Sequence, residues 1–298
     1  MGERPLMIKE LALLLVLATL WGSSYTFIKV GVETIPPVTL IAVRTLIAGS
    51  ILLAVMAWQG VRLPRDPKVW RQFTFQAVMN SVVPFTLVAW GEQETDAGLA
   101  AILNSTTPIF TFLLTALITR HEPVTMRKMF GVAAGLLGIC LIIGMEALNG
   151  LGDQLGAQLA IVAATISYAG AAIYGKNFKG LTPIVPAAGS MICGAVILLP
   201  VSLVVDRPWT LSPSLHSIGA LICLSVFCTA IAFTIYFRLM QTLGSIGTTS
   251  QAYLRVPIGV GLGMLFLGES LAPTALVGLV CVVAAVVAMT MPGRSRKA

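Results

Sequence analysis

Apolar runs of about 20 residues recur along this chain, and their length constrains the fold more than any other feature. About 20 helical residues, rising 1.5 Å each, cross the ~30 Å hydrocarbon core of a bilayer. Ten such runs are joined by loops too short to hold a separate soluble domain. The predicted spans are 9–30, 35–57, 69–90, 97–119, 128–145, 155–175, 183–205, 215–237, 246–267 and 272–291.

The composition supports an all-α integral membrane protein. The 298 residues are 57% hydrophobic and 10% charged, whereas soluble domains carry about 25% charged residues. We expect no signal peptide, because the first apolar run continues to Val30 and is longer than the short apolar core of a signal peptide. The five cysteines lie within apolar runs without metal-ligand spacing, and there are only two histidines. We therefore expect no metal and no cofactor.

The basic residues predict the orientation in the membrane. With the N-terminus in the cytoplasm, 15 Lys and Arg side chains lie on the inner side and two, Lys29 and Arg207, on the outer side. This bias follows the positive-inside rule and favours an even number of spans. We expect a multi-pass protein of the cell inner membrane with both termini in the cytoplasm. The basic residues form no single patch, so a nucleic-acid partner is not expected.

The two halves of the chain repeat. At an offset of 147 positions, Trp21 falls on Tyr168 and Gly131 falls on Gly278. The first repeat is 1–148 and the second is 149–298, each with five predicted spans. Because five is odd, the second repeat enters the membrane from the opposite side. The prediction is two inverted five-helix repeats around a central cavity, the architecture that underlies alternating access.

Two spans at matching places are interrupted by proline. Pro108 follows the polar run that begins at Asn104, and Pro257 stands at the corresponding place in the second half. A proline inside a helix frees the carbonyl four residues earlier, here those of Asn104 and Tyr253. Irregular backbone at membrane depth occurs only where protein or a wet cavity surrounds it. Paired interruptions of this kind indicate a transporter's binding site.

Mid-span polar and aromatic side chains supply the candidate cavity residues. Trp21 lies near the middle of the first span, one helical turn from Tyr25, and Gln76, Asn80 and Pro84 form a stripe in the third. The alternatives are helix packing for the aromatic residues and interhelical hydrogen bonds for the amides. The predicted cavity residues are Trp21, Tyr25, Gln76, Asn80, Ser81, Asn104, Thr107, Tyr168, Tyr253 and Arg255. The predicted kink or hinge residues are Pro84, Pro108, Pro257 and Gly259.

Two arginines lie inside predicted spans, where a charge costs at least ~2.5–3.5 kcal/mol. No Asp or Glu lies deep in any span as predicted. We expect Arg255, beside Pro257, to meet the carboxylate of an amino acid or a similar anion. Arg44 is expected to be a structural charge that holds backbone carbonyls or outer-loop acids such as Glu92. Without an intramembrane carboxylate to carry protons, we expect a facilitator or exchanger.

The run LWGSSYTFIKVGVETIPPVTLIAVRTLIAG at residues 20–49 resembles the opening of EamA-type members of the drug/metabolite transporter superfamily. Gly268 and Glu269 resemble that family's closing loop before the last helix. The corresponding residues of the first half, at 120–122, depart from the pattern because His121 stands in place of the glycine. The resemblance covers the whole chain. It implies ten helices around a central cavity and export or exchange of small metabolites. Exporters of aromatic amino acids are one branch, and sugar-phosphate and nucleotide-sugar exchangers are relatives.

The function expected from these features is export of aromatic and other neutral amino acids, or similar small metabolites, by alternating access. The alternatives are exchange of sugar-phosphate or nucleotide-sugar-like solutes, and drug efflux. A membrane enzyme is not expected, because no nucleophile–base pair or metal set is present in or near the spans. The expected partners are a small-molecule substrate and the lipid bilayer, and the expected state is a monomer or weak homodimer.

Overall fold

The computed structural model describes residues 3–95, 100, 103–116, 125–143, 154–258 and 274–290. These residues are helical apart from short connections, and no strand occurs among them. The helices are α1 Glu3–Val32, α2 Pro37–Trp58, α3 Pro67–Glu94, α4 Thr107–Leu114, α5 Met126–Ile143, α6 Leu155–Tyr174, α7 Ile184–Val205, α8 Leu215–Thr242, α9 Gly244–Thr249 and α10 Thr274–Thr290. A further helical stretch, 251–258, follows α9.

Six of the described helices are long and apolar enough to cross a membrane: α1, α2, α3, α6, α7 and α8. The chain is therefore an integral membrane protein, and the part of it that the structure describes is helical. The other four predicted spans contain α4, α5, α9 and α10, with turns at 105–106 and at 250. The predicted hinge at Gly259 lies outside the described residues, as do Gly268 and Glu269 of the family-like closing loop.

Two of the long helices contain a widened turn at matching places. A π-helical segment occupies Val78–Val82 in α3 and Val226–Ile231 in α8. In α3, Pro84 follows the segment and cannot donate the backbone hydrogen bond that a continuous α-helix needs. In α8, the hydroxyl of Thr229 donates to the carbonyl of Leu224, five residues earlier, at 2.7 Å. Both segments belong to the part of the bundle that surrounds the cavity described below.

The main helix pairs each combine one helix from the first half of the chain with one from the second half. Helix α2 packs along α7, and α5 packs along α10. Helix α1 contacts α8, and their counterparts α6 and α3 contact each other. Glycines allow close approach at several of these contacts, because they bring no side chain between the helices. At Gly138 of α5, for example, an added Cβ would lie 2.7 Å from the carbonyl oxygen of Gly278 in α10.

Substitution at Gly189 tests the packing of α7 on α3. A Cβ added at Gly189 would lie 2.3 Å from the ring of Phe73, which is fully buried. We expect Gly189→Ala to destabilise the protein by about 1–3 kcal/mol and to lower its Tm in detergent. The matched control is Gly219→Ala in α8, where an added Cβ meets no atom of the described residues within 4 Å; this variant should gain up to ~1 kcal/mol of helix propensity. Equal Tm values for the two variants would contradict this packing.

Candidate functional site

A polar and aromatic cavity lies among α1, α2, α3, α4, α6, α8 and the helical stretch after α9. Seven of the predicted cavity residues line it, and they come from both halves of the chain: Trp21, Tyr25, Asn80, Asn104, Thr107, Tyr168 and Arg255. Arg44 lines it as well. Sequence reasoning did not identify the other lining residues, which are Ser24, Ile28, Phe85, Val88, Phe233, Tyr236, Thr249 and Gln251. Ser24 and Ile28 could have been found, because they follow Trp21 at helical spacing.

Trp21 is fixed as part of an aromatic wall. Its indole Nε1 donates a hydrogen bond to the carbonyl oxygen of Cys228 at 2.9 Å. The indole ring meets Phe233 edge-on, with centroids 5.8 Å apart, and lies 5.4 Å from the ring of Tyr236. A buried indole needs a partner for its N–H, and the cross-helix bond to α8 supplies one. The ring is therefore held in one orientation, with Arg255 beside it.

Arg255 is held by neutral groups. Its Nε donates to Oε1 of Gln251 at 2.7 Å, and its Nη1 donates to the hydroxyl of Tyr25 at 3.2 Å. Its guanidinium carbon lies 4.7 Å from the ring centroid of Trp21, within cation–π range. Among the described residues, no carboxylate pairs with it. A guanidinium has five N–H donors, so several remain for a ligand in the cavity.

Arg44 is fully buried and bound to α8 and α3. Its Nε donates to Oγ1 of Thr229 at 2.6 Å, and its Nη2 lies 3.4 Å from the carbonyl oxygen of Cys228. Its guanidinium carbon stacks 3.8 Å from the ring centroid of Phe85. Of the two kinds of partner expected from the sequence, the structure places Arg44 on a carbonyl and a hydroxyl rather than in an ion pair with Glu92.

Two residues of the polar run before Pro108, in the fourth predicted span, line the cavity. Helix α4 begins at Thr107, with Pro108 in its first turn, where a missing N–H is tolerated. The hydroxyl of Thr107 donates to the carbonyl oxygen of Asn104 at 2.7 Å and lies 3.1 Å from Oδ1 of the same residue. The carbonyl that Pro108 frees is thus satisfied locally, while the side chains of Asn104 and Thr107 remain in the cavity wall.

Three predicted cavity residues are buried elsewhere in the bundle. Tyr253 packs on Gly135 of α5, where an added Cβ would lie 2.4 Å from its ring, and its hydroxyl lies 3.5 Å from the carbonyl oxygen of Val132. Gln76 and Ser81 are fully buried and do not line the cavity. Gln76 lies at the end of the α-helical part of α3, and Asn80 and Ser81 lie in the π-helical segment that follows.

Two carboxyl groups near the ends of the long helices are buried in the structure. Helix α3 continues to Glu94, beyond the predicted end of its span, and Glu92 in its last turn is fully buried. Glu10 in α1 is also buried, and its Oε1 accepts a hydrogen bond from Arg238 of α8 at 2.7 Å. Because buried carboxyl groups can bind protons, the facilitator or exchanger expected from the sequence stays a prediction.

A membrane-spanning helical bundle with a cavity lined by arginine, amides and aromatic rings is the construction of a solute transporter. The model of the EamA-like transporter family matches residues 8–144 and again residues 155–291. The chain belongs to this family, as the resemblance of residues 20–49 implied.

The chain is similar to other proteins over most of its length. The inner membrane transporter YedA of Escherichia coli K12, described as uncharacterized, is 30% identical over 93% of this chain and 89% of its own. Protein PecM of Dickeya dadantii is 25% identical over 90% of this chain and 87% of its own. A protein of known crystal structure is 16% identical, with a TM-score of 0.75 over 95% of this chain and 97% of its own, which shows a shared fold.

Proposed function

We propose that this chain exports small metabolites that carry a carboxylate, with aromatic and other neutral amino acids as the foremost substrates. The observation that carries the proposal is the position of Arg255 in the cavity wall. Its guanidinium has neutral partners only among the described residues, and it lies against the ring of Trp21. A charge in this position gains most from a ligand that brings the missing carboxylate.

The rest of the cavity suits the remainder of an amino acid. Phe85, Phe233 and Tyr236 offer apolar surface and ring faces for an aromatic or aliphatic side chain. The amide of Asn104 and the hydroxyl of Tyr168 are oxygen-bearing groups that can accept hydrogen bonds from an ammonium group. The binding mode proposed here sets the carboxylate on Arg255 and the side chain against the aromatic wall.

We propose that solutes cross by alternating movements of two inverted repeats, 1–148 and 149–298. Three observations support the division. The family model matches once in each half, and the π-helical segments of α3 and α8 lie at matching places in the two halves. The main helix pairs each combine one helix from each half. In this arrangement Pro84, Pro108 and Pro257 are the hinge candidates that the structure describes. The cavity lies within one chain, so a monomer suffices. The basic loops favour cytoplasmic termini in the inner membrane.

A second candidate is exchange of phosphorylated solutes, and one observation favours it. Arg44 and Arg255 line the same cavity, and two guanidinium groups would suit a phosphate better than a carboxylate. Arg44 is, however, already bound to Thr229 and stacked on Phe85. We therefore rank amino acids first.

Efflux from proteoliposomes tests the proposal. Purified protein is reconstituted into liposomes that are preloaded with single radiolabelled solutes: aromatic, aliphatic and acidic amino acids, and a sugar phosphate. We expect release of aromatic and aliphatic amino acids above the leak of protein-free liposomes, and slower release when Trp21 is replaced by alanine. The matched control is Trp58→Ala, since Trp58 is exposed at the end of α2. Release of the sugar phosphate alone would establish the second candidate instead.

A further inference from the structure

Glu92 is a buried carboxyl group that the proposed binding mode does not use. It lies in the last turn of α3 and is fully buried, and neither carboxyl oxygen has a hydrogen-bond partner among the residues that the structure describes. The nearest basic group, Lys29 of α1, donates from Nζ to the main-chain oxygens of Glu92 at 2.7 Å and of Thr95 at 3.2 Å. Lys29 therefore binds the carbonyl end of α3 rather than the carboxyl group of Glu92.

The charged and titratable groups around Glu92 come from three helices. Lys29 and Tyr25 of α1, Arg44 of α2 and Tyr168 of α6 interact with it electrostatically. Three of these four groups, Tyr25, Arg44 and Tyr168, also line the cavity. The carboxyl group is thus electrostatically connected to the solute site without lining it.

Burial and the missing partners decide which form of the carboxyl group fits this arrangement. An ionised carboxylate away from water needs a counter-ion and hydrogen bonds, whereas the neutral acid loses much less solvation on burial. The arrangement seen here therefore suits the protonated acid. The ionised form would be stabilised if the ammonium group of Lys29, on its flexible stem, moved from the carbonyl oxygens to the carboxylate.

We propose that Glu92 is a proton-binding site coupled to the solute cavity. In the arrangement seen here it carries a proton. When Lys29 moves to the carboxylate, the O–H bond breaks, the proton passes to water, and a Glu92–Lys29 ion pair remains. A solute carboxylate on Arg255 adds negative charge to the same cluster and so favours the protonated state. The coupling rests on the proposed function, but the protonation of Glu92 does not.

Infrared difference spectroscopy tests the protonation without any solute. The purified protein at neutral pH should show the C=O band of a protonated carboxylic acid, which disappears in Glu92→Gln. The band should remain in Glu94→Gln, because Glu94 lies two residues further on and is exposed. Absence of the band from the parent protein, or its persistence in Glu92→Gln, would overturn the proposal, whatever the transport assays show.

Proton movement tests the coupling. Proteoliposomes that enclose a pH-sensitive dye receive L-phenylalanine on the outside, and we expect a change of internal pH with the parent protein and with Glu94→Gln. Glu92→Gln, which mimics the neutral acid, should lose the pH change while still exchanging labelled for unlabelled phenylalanine, which shows that the variant is folded. Phenylalanine transport without proton movement in the parent would overturn the coupling. No transport of phenylalanine by any variant would count against the proposed function and leave the infrared result to decide on Glu92.

Discussion

Replacing Arg255 by glutamine is expected to raise the concentration of amino acid needed for half-maximal transport by about 10- to 100-fold. The estimate follows from the ~1.5–3 kcal/mol that a hydrogen bond to a charged group contributes. The amide group of glutamine lies about as far from the backbone as Nε of arginine. It can therefore still form a hydrogen bond with Gln251 or Tyr25, which bind Arg255 here. The loss of affinity should therefore reflect the missing positive charge and the missing paired N–H donors of the guanidinium rather than a collapsed cavity.

Two comparisons separate carboxylate recognition from a general defect. Arg65→Gln, in the exposed loop before α3, removes an arginine far from the cavity and should transport as the parent does. L-Phenylalaninamide, which lacks the carboxylate, should compete poorly with labelled L-phenylalanine in the parent, and equally poorly in Arg255→Gln. If Arg255→Gln transports phenylalanine with unchanged half-saturation, Arg255 does not bind the carboxylate.

Arg44→Ala is expected to destabilise the protein by about 2–5 kcal/mol, because it removes a large buried side chain and leaves the groups that it binds without their hydrogen bonds. The guanidinium is fully buried, joins α2 to α8 through Thr229, and covers the ring of Phe85. Its removal leaves an unfilled space beside the cavity and also removes a positive charge near Glu92. Thermal unfolding in detergent should show the loss as a lower Tm, with Arg62→Ala in the exposed loop as the control.

A double-mutant cycle isolates the bond between Arg44 and Thr229. Thr229→Val keeps the shape of the side chain and removes the hydroxyl that accepts from Nε of Arg44. Contacting residues show coupling energies of about 0.5–3 kcal/mol, so the double variant should be less destabilised than the sum of the single changes. Additive effects would show that Arg44 stabilises the bundle without this hydrogen bond.

The helical membrane class and much of the candidate site follow from the sequence because the bilayer limits the choices. Polar side chains in the middle of an apolar span must face protein or water, so Trp21, Asn104 and Arg255 were expected beside a cavity before any helix was placed. The matching positions of Trp21 and Tyr168 in the repeat likewise predicted aromatic residues on both sides of it.

The rest depended on backbone geometry and on helix ends, which single sequences specify poorly. A π-helical segment cannot be recognised from residues 78–82 alone. Tyr253 was assigned to the cavity from its place near Pro257, whereas the small Gly135 on another helix offers its ring a closer fit. The sequence places Glu92 in a loop because the apolar run ends at Trp90, whereas α3 continues to Glu94 in the structure.

Labelling from each side of the membrane tests most directly whether the cavity is the transport pathway. Ser24 lines the cavity, and Ser24→Cys is made in a variant that lacks the five native cysteines. A membrane-impermeant thiol reagent should modify this cysteine in right-side-out and in inside-out vesicles, and the transported amino acid should slow both reactions. The control, Ser81→Cys, is buried outside the cavity and should react from neither side. Modification of Ser24→Cys from one side only, unaffected by any solute that the protein releases, would contradict alternating access through this cavity.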